Sequence, residues 1–337
     1  MPAFSPSIDE LRAAVDAGLA DFLDRRREEL PEAGLLISEM KRLLAAGGKR
    51  LRPAFCYWGY RAAGGEDGGA IIRVAGALEL LHTFALVHDD IMDAADVRRG
   101  APTVHALYGA DVALLVGDLA LVLADAAFFG GGFPPQPTVA SFAHYSRMRQ
   151  EVIAGQFLDV QAAGRAEVTE EEARRIAVLK SGRYTVEEPL LIGASLAGAE
   201  ATLLGGLAAF GRPLGEGFPL RDDLLGLFGE RTSTGKSVDS DIREGKRNLL
   251  FARTLAALSG AERDFFVGHW GGGESLDEGE VARLRALVAS SGAQATVEQL
   301  LGELAALSGA ALDQCPTPAD ARAALLTLAR LAVQRDL

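Results

Sequence analysis

From Leu78 to Asp93 the chain reads Leu-Glu-Leu-Leu-His-Thr-Phe-Ala-Leu-Val-His-Asp-Asp-Ile-Met-Asp, with neither glycine nor proline. Such a run predicts a helix of several turns that begins apolar and ends in carboxylates. Asp89 and Asp93 are four residues apart, which on a helix sets them about 40° apart around the axis and ~6 Å along it, facing one way. Like charges on one face repel unless a cation lies between them. Hard oxygen ligands on a rigid element, with room left for waters and for a ligand's phosphates, suit Mg²⁺.

The rest of the chain repeats the helical signal. Ser7 or Asp9 caps a first helix that runs to about Glu29 and ends at Pro31. Further helices fit Leu35–Ala46, Arg50–Ala63, Gly69–Ala94, Asp111–Phe129, Val139–Ala163, Thr169–Tyr184, Glu187–Leu214 and Gly217–Phe228, and helical runs resume from about Arg247. Gly130–Pro135 and Glu230–Asp239 read as loops. Alternating strand patterns bounded by turns are scarce, and no GxGxxG follows a strand. The expected fold is all-α: a helical bundle around a central cavity, with residues 1–337 as a single domain.

Lys+Arg 34 against Asp+Glu 46 gives a formal charge of -12, which argues against nucleic acid or an anionic membrane surface as the main partner. Only Cys56 and Cys315 are present, and Met1–Glu10 lacks a basic segment followed by an apolar core. A cytoplasmic protein without a secretory leader is expected. Val112–Phe129 is the one membrane-like stretch, but Asp118 and Asp125 interrupt it; it reads as a buried or subunit-contact helix, so no membrane span is expected.

Four clusters carry chemistry. Gly47-Gly48-Lys49-Arg50-Leu51-Arg52-Pro53 offers backbone N–H groups and guanidinium forks to an anion. The aspartate stretch is trailed by Arg98-Arg99, suited to a ligand with more than one phosphate. Gln156-Phe157-Leu158-Asp159 is followed by Lys180-Ser181, and Asp222-Asp223 by Thr234-Gly235-Lys236, Asp241 and Lys246. Taken alone, each is ordinary solvated surface. Together they are two acidic clusters far apart in sequence, each trailed by cations, in an all-helical chain. Two such faces could clamp a diphosphate through Mg²⁺ and withdraw it as a leaving group.

In their order, GGKRLRP, HTFALVHDDIMD, RRGAPTVH, GQFLD, KSGRY and RDDLLGLFGE…TGKSVDSDIREGKRN resemble the motifs of the trans-isoprenyl diphosphate synthases, the polyprenyl synthetases. The resemblance implies the isoprenoid synthase fold and head-to-tail condensation of isopentenyl diphosphate with an allylic diphosphate (dimethylallyl, geranyl or farnesyl). The allylic diphosphate ionises, the isopentenyl alkene attacks, and a proton leaves to the released pyrophosphate. It implies three Mg²⁺ ions, with Asp89, Asp93 and Asp222 as metal ligands. Lys49, Arg52, His82 and Arg99 would hold isopentenyl diphosphate. Arg98, Lys180, Lys236 and Lys246 would hold the allylic diphosphate, with Gln156 alongside, and Lys180 and Lys236 are counted with the aspartates as catalytic. Asp90, Asp223 and Asp241 would act through water or hydrogen bonds. Read without the resemblance, His82 is more simply a satisfied core histidine; His88 and His105 read as structural. A homodimer with its contact at Val112–Phe129 is also implied.

The chain departs from the family pattern where Gly226 replaces a third aspartate in Asp222-Asp223-Leu224-Leu225-Gly226, where Pro219 replaces the usual Gln, and where Ser181 replaces Thr. Pro219 is expected either in a first helical turn or at a kink. In this family, product length is set below the first aspartate motif, here by Phe84, Ala85 and Leu81. Phe84 beside the small Ala85 resembles synthases of the twenty-carbon product, geranylgeranyl diphosphate. A fifteen-carbon product, a non-catalytic subunit of a heteromeric synthase, and a class I terpene cyclase are the alternatives. The cyclase is disfavoured because both diphosphate seats are present.

Overall fold

The computed structural model describes residues 6–229 and 239–333, so Lys236 and most of the loop expected at Glu230–Asp239 lie outside the described residues. The described chain is helical apart from one two-stranded hairpin, and it groups into two compact units.

The first unit comprises residues 1–146, 188–208 and 315–328. Its helix α1 (Ile8–Glu29) starts in a reciprocal cap, with Ser7 Oγ accepting from the Glu10 amide and Glu10 accepting from the Ser7 amide. Helices α2 (Gly34–Ala45), α3 (Leu51–Ala62) and α4 (Gly69–Met92) follow. Val74 to Leu81 of α4 is buried without interruption, which is why that helix shows no polar face in the sequence. Strands β1 (Val97–Arg98) and β2 (Ala101–Pro102) pair antiparallel around Arg99-Gly100. Both turn residues have positive φ, 53° and 74°, as the tight hairpin requires. Helices α5 (Val104–Tyr108), α6 (Ala110–Phe129), the first part of α7 (Pro135–Ala162) and α9 (Glu188–Leu196) complete most of the unit. Where α3 crosses α9 the backbones touch. A methyl group on Gly59 would fall 2.1 Å from Leu190 O, and one on Gly193 1.8 Å from Cys56 O.

The second unit comprises residues 147–187, 209–314 and 329–337. It contains the end of α7, α8 (Glu170–Ala177), a π-helical segment (Val178–Glu187), most of α10 (Ala201–Phe228), and α11 (Ser240–Glu244), α12 (Leu249–Ala257), α13 (Gly260–His269), α14 (Glu278–Ser290) and α15 (Ala293–Gln314); α16 (Ala319–Val333) ends in it. Leu220, Leu224 and Leu227 of α10 pack with Leu250, Phe251, Phe266, Trp270, Leu284 and Val297 into one core.

Several expected boundaries move. The helix expected over Glu187–Leu214 breaks at 197–200, where Gly198 takes φ 76°. The helix expected to begin at Gly217 is the continuation of α10, so the buried Pro219 lies inside a long helix and not in its first turn. Proline has no amide hydrogen, which leaves the Gly215 carbonyl without its helical donor. That carbonyl lies against Gly182 of the π-helical segment, where a methyl group would come within 2.3 Å of it. A close backbone contact stands where the helical hydrogen bond is missing.

Helices α4 and α6 are both long and apolar enough, by length and composition, to cross a membrane. In α4, 61% of the apolar window is buried, and in α6 44%.

Candidate active site

In the first unit the site is built on the end of α4. Asp93 closes that helix, its amide donating to Asp89 O at 2.9 Å, so the two carboxylates keep the expected one-turn relation. Asp89, Asp90 and Asp93 thus crowd the negative end of a helix dipole whose last turn holds no basic residue, an arrangement that calls for cations. One comes from the hairpin. Arg98 Nε donates to the buried Asp90 Oδ1 at 2.6 Å, and its Nη2 lies 3.5 Å from Asp89 Oδ2. The residue expected on the allylic diphosphate is laid on the aspartates, and Asp90 is what positions it.

Behind this, the glycine-rich turn brings the other cations together. Arg99 donates to Gly47 O. Arg52, Arg99, Arg98 and Arg50 all lie near enough to His82 to act on its charge; burial first and then these guanidinium groups hold its imidazole well below the usual range. A neutral His82 among arginines is a hydrogen-bonding group for an anion, added without a fifth positive charge. Lys49 is exposed beside them.

The expected ruler residues sit further down α4. Leu81 is fully buried, while Phe84 and Ala85 are half-buried. The Phe84 ring meets the His88 ring edge-on at 4.8 Å, and His88 Nε2 lies 3.2 Å from Leu114 O. The residue missed in sequence is Gly117 of α6: a methyl group there would fall 2.2 Å from His88 Nε2. No motif marks it, because what it does here is leave space for a ring carried by another helix. His105 Nδ1 lies 3.1 Å from Thr103 Oγ1.

In the second unit, Lys180 lies in the π-helical segment and donates to Asp159 Oδ2 of α7 at 2.6 Å. Gly155 of α7 lets that segment approach; a methyl group there would fall 2.3 Å from the Lys180 amide nitrogen. Gln156, one turn before Asp159, is half-buried. Lys246 Nζ donates to Asp241 Oδ1 at 2.6 Å and lies 3.7 Å from Glu244. Burial opposes its charge, but Asp241 and Glu244 carry its ammonium well above the ordinary lysine value. Asp222 is exposed on α10. Its neighbour Asp223 is pushed up to about 8, by burial first and then by Asp241, with Asp222 adding to the effect and Lys246 opposing it. Carboxylates so crowded that one holds a proton are the donor set that a divalent cation relieves. Among the described residues no group of three or more His, Cys, Asp or Glu side chains is gathered so as to hold a metal ion. Each aspartate motif by itself offers hard oxygen donors, the kind a divalent cation takes together with waters and phosphate oxygens.

Carboxylate-lined helix ends, each beside cations able to bind phosphate, define an all-α enzyme that handles diphosphates. The family model described as polyprenyl synthetase matches residues 34–288, and the chain belongs to that family. It is 35% identical over 255 residues to a short chain isoprenyl diphosphate synthase of Methanothermobacter thermautotrophicus, covering 74% of this chain and 77% of that protein. It is 39% identical over 222 residues to a geranylgeranyl diphosphate synthase of Sulfolobus acidocaldarius, covering 63% and 64%. Among solved structures, the geranylgeranyl pyrophosphate synthase of Corynebacterium glutamicum, complexed with isoprenyl diphosphate and magnesium, superposes with a TM-score of 0.94 at 31% identity, covering 98% of this chain and 100% of that one.

Proposed function

We propose that this protein is a short-chain prenyltransferase that condenses isopentenyl diphosphate head-to-tail with an allylic diphosphate and gives geranylgeranyl diphosphate. Residues 1–337 act in this as one synthase domain. The observation that carries the reading is the assembly at the end of α4: a one-turn pair of carboxylates, Asp89 and Asp93, beside Arg98 and in the same unit as the Arg52, Arg99 and His82 cluster. Membership of the family and relatives named for this chemistry support it.

Asp89, Asp93 and Asp222 would hold Mg²⁺, three ions in all, which stabilises negative charge developing on a departing diphosphate. The chain's own groups do the rest. Lys49, Arg52, Arg99 and the neutral His82 seat the diphosphate of isopentenyl diphosphate. Arg98, Lys180 and Lys246 meet the allylic diphosphate, with Gln156 beside Lys180; Asp90 and Asp159 orient Arg98 and Lys180. Lys236 belongs with this group by sequence. The allylic C–O bond breaks with its electron pair leaving on pyrophosphate. The alkene of isopentenyl diphosphate forms the new C–C bond, and the adjacent proton passes to pyrophosphate. The apolar side chains below the aspartates, Leu81, Phe84 and Ala85, keep water from the cation and limit the product's length.

The same proposal places the protein in the cytoplasm as a homodimer without a membrane span or nucleic-acid partner. Free Cys56 and Cys315 support the first point. Exposed Leu114, Leu115, Val122 and Phe129 on α6 support the second.

The test is to incubate the purified protein with Mg²⁺, isopentenyl diphosphate and, separately, each allylic starter, then to size the prenyl alcohols after hydrolysis. A dominant twenty-carbon alcohol is expected, with turnover falling about a thousandfold in Asp89→Ala. Stopping at fifteen carbons would keep the chemistry and overturn the product. No elongation with any starter would leave the non-catalytic subunit.

A further inference from the structure

The middle cation of Gly47-Gly48-Lys49-Arg50-Leu51-Arg52 is set apart from its neighbours. Lys49 is exposed and Arg52 half-buried, but Arg50 is buried, at 6% exposure, and holds a left-handed φ of 49°. A residue with a Cβ takes that conformation only where its surroundings hold it there. The surroundings here are three different elements. Arg50 Nε donates to Asp16 of α1 at 2.7 Å, Nη1 to Glu79 of α4 at 2.8 Å, and Nη2 to Leu44 O at the end of α2 at 2.6 Å. Its own carbonyl accepts from the Ala54 amide, the first helical bond of α3. The left-handed bend at Arg50 therefore sets where α3 begins, and with it the positions of Lys49 before the bend and Arg52 after it.

Glu79 adds an electrostatic reason. It is 3% exposed, three residues before His82 on the same helix, and close enough to Arg99 to act on its charge. Unpaired, a buried carboxylate there would draw the nearest guanidinium groups to itself. Arg50 meets that carboxylate at 2.8 Å, so Glu79 is neutralised before its charge reaches Arg52 and Arg99. A lysine could not reproduce the arrangement, because one ammonium does not present the planar fork that reaches three acceptors in fixed directions.

We propose that Arg50 and Glu79 are a positioning pair for the isopentenyl diphosphate seat, Arg50 by fixing the bend between Lys49 and Arg52 and by neutralising Glu79. This rests on the assignment of Lys49, Arg52 and His82 to that seat. The test is steady-state kinetics of Arg50→Gln, Arg50→Lys and the double variant Arg50→Gln with Glu79→Gln, with each diphosphate varied separately and folding followed by thermal melting. In Arg50→Gln the KM for isopentenyl diphosphate should rise about tenfold or more, while the KM for the allylic diphosphate and kcat change by about twofold at most. Arg50→Lys should recover little of the loss. The double variant, which removes the stranded carboxylate, should recover most of it. Equal losses in kcat and both KM values, or an unchanged KM for isopentenyl diphosphate in a folded variant, would overturn the pair's role. Should Arg50→Gln fail to fold, Arg50→Lys and the double variant carry the same comparison. Lys49→Ala separates the two readings: if it leaves the KM for isopentenyl diphosphate unchanged, the seat assignment is what fails.

Discussion

Asp241 rests against the bare backbone of Gly226: a methyl group at that glycine would fall 2.8 Å from Asp241 Oδ2. Gly226 stands where related second motifs carry a third aspartate, and the carboxylate filling the neighbouring space arrives from α11. Gly226→Ala should push that carboxylate off α10. The expected result is a several-fold increase in the Mg²⁺ concentration needed for half-maximal turnover, with kcat at saturating Mg²⁺ nearly kept. An unchanged Mg²⁺ titration would separate Asp241 from the metal-binding face.

Asp223 makes the metal-free protein sensitive to pH. Burial and then Asp241 push its carboxyl up to about 8 in the folded chain, from an ordinary value near 3.8, so the native state binds the extra proton between those limits. Stability from this group is full below about pH 4 and is lost as pH rises toward 8. In EDTA, the melting temperature of the wild type should fall across that window, and Asp223→Asn should flatten the fall. Adding Mg²⁺ at pH 8 should raise the wild-type melting temperature, because a ligand that binds only the folded state stabilises it. Parallel pH profiles for wild type and variant would refute the shifted carboxyl.

The product ruler gives opposite results at adjacent positions. Ala85→Phe adds an aromatic ring next to Phe84 and should shift the main product to fifteen carbons, whereas Phe84→Ala should extend it beyond twenty. Chromatography of the dephosphorylated alcohols reads both. If neither variant changes chain length, the limit to growth lies elsewhere.

The α3–α9 crossing makes a stability prediction. Gly193→Ala would place its methyl group 1.8 Å from Cys56 O, a backbone atom that cannot rotate away. The helices must separate, at a cost of about 3 kcal/mol. Urea unfolding should show a lower midpoint with an unchanged slope. Gly205, with nothing within 4 Å of an added methyl, is the control and should tolerate alanine.

The all-helical class and the aspartate pair were legible because both rest on local spacing: a run without breakers, and two carboxylates one turn apart. The cations were legible as residue types but not as partners. Nothing local in GGKRLRP says that Arg50 turns inward while Lys49 stays exposed, since Asp16 and Glu79 come from distant segments. Gly117 and Gly155 carry no sequence signal, and Gly226 reads only as a missing aspartate, for a related reason: each matters for the atom it leaves room for, and that atom belongs to another element. The hairpin at Val97–Pro102 is not legible in the sequence, because two-residue strands show no alternation and its turn signal, Arg99-Gly100, sits inside a basic motif.

Pro219 gives the helix that carries Asp222 a mechanical neighbour. With the Gly215 carbonyl seated on Gly182, two residues after Lys180, a shift of the segment that bears that lysine is transmitted to α10 by direct backbone contact. Asp222, proposed for the metal, and Lys180, proposed for the allylic diphosphate, thus sit on elements that share one joint. Pro219→Gln returns a donor to the Gly215 carbonyl and loosens that joint. In a double-mutant cycle, the effect of Lys180→Ala on allylic binding should then depend on which residue occupies position 219.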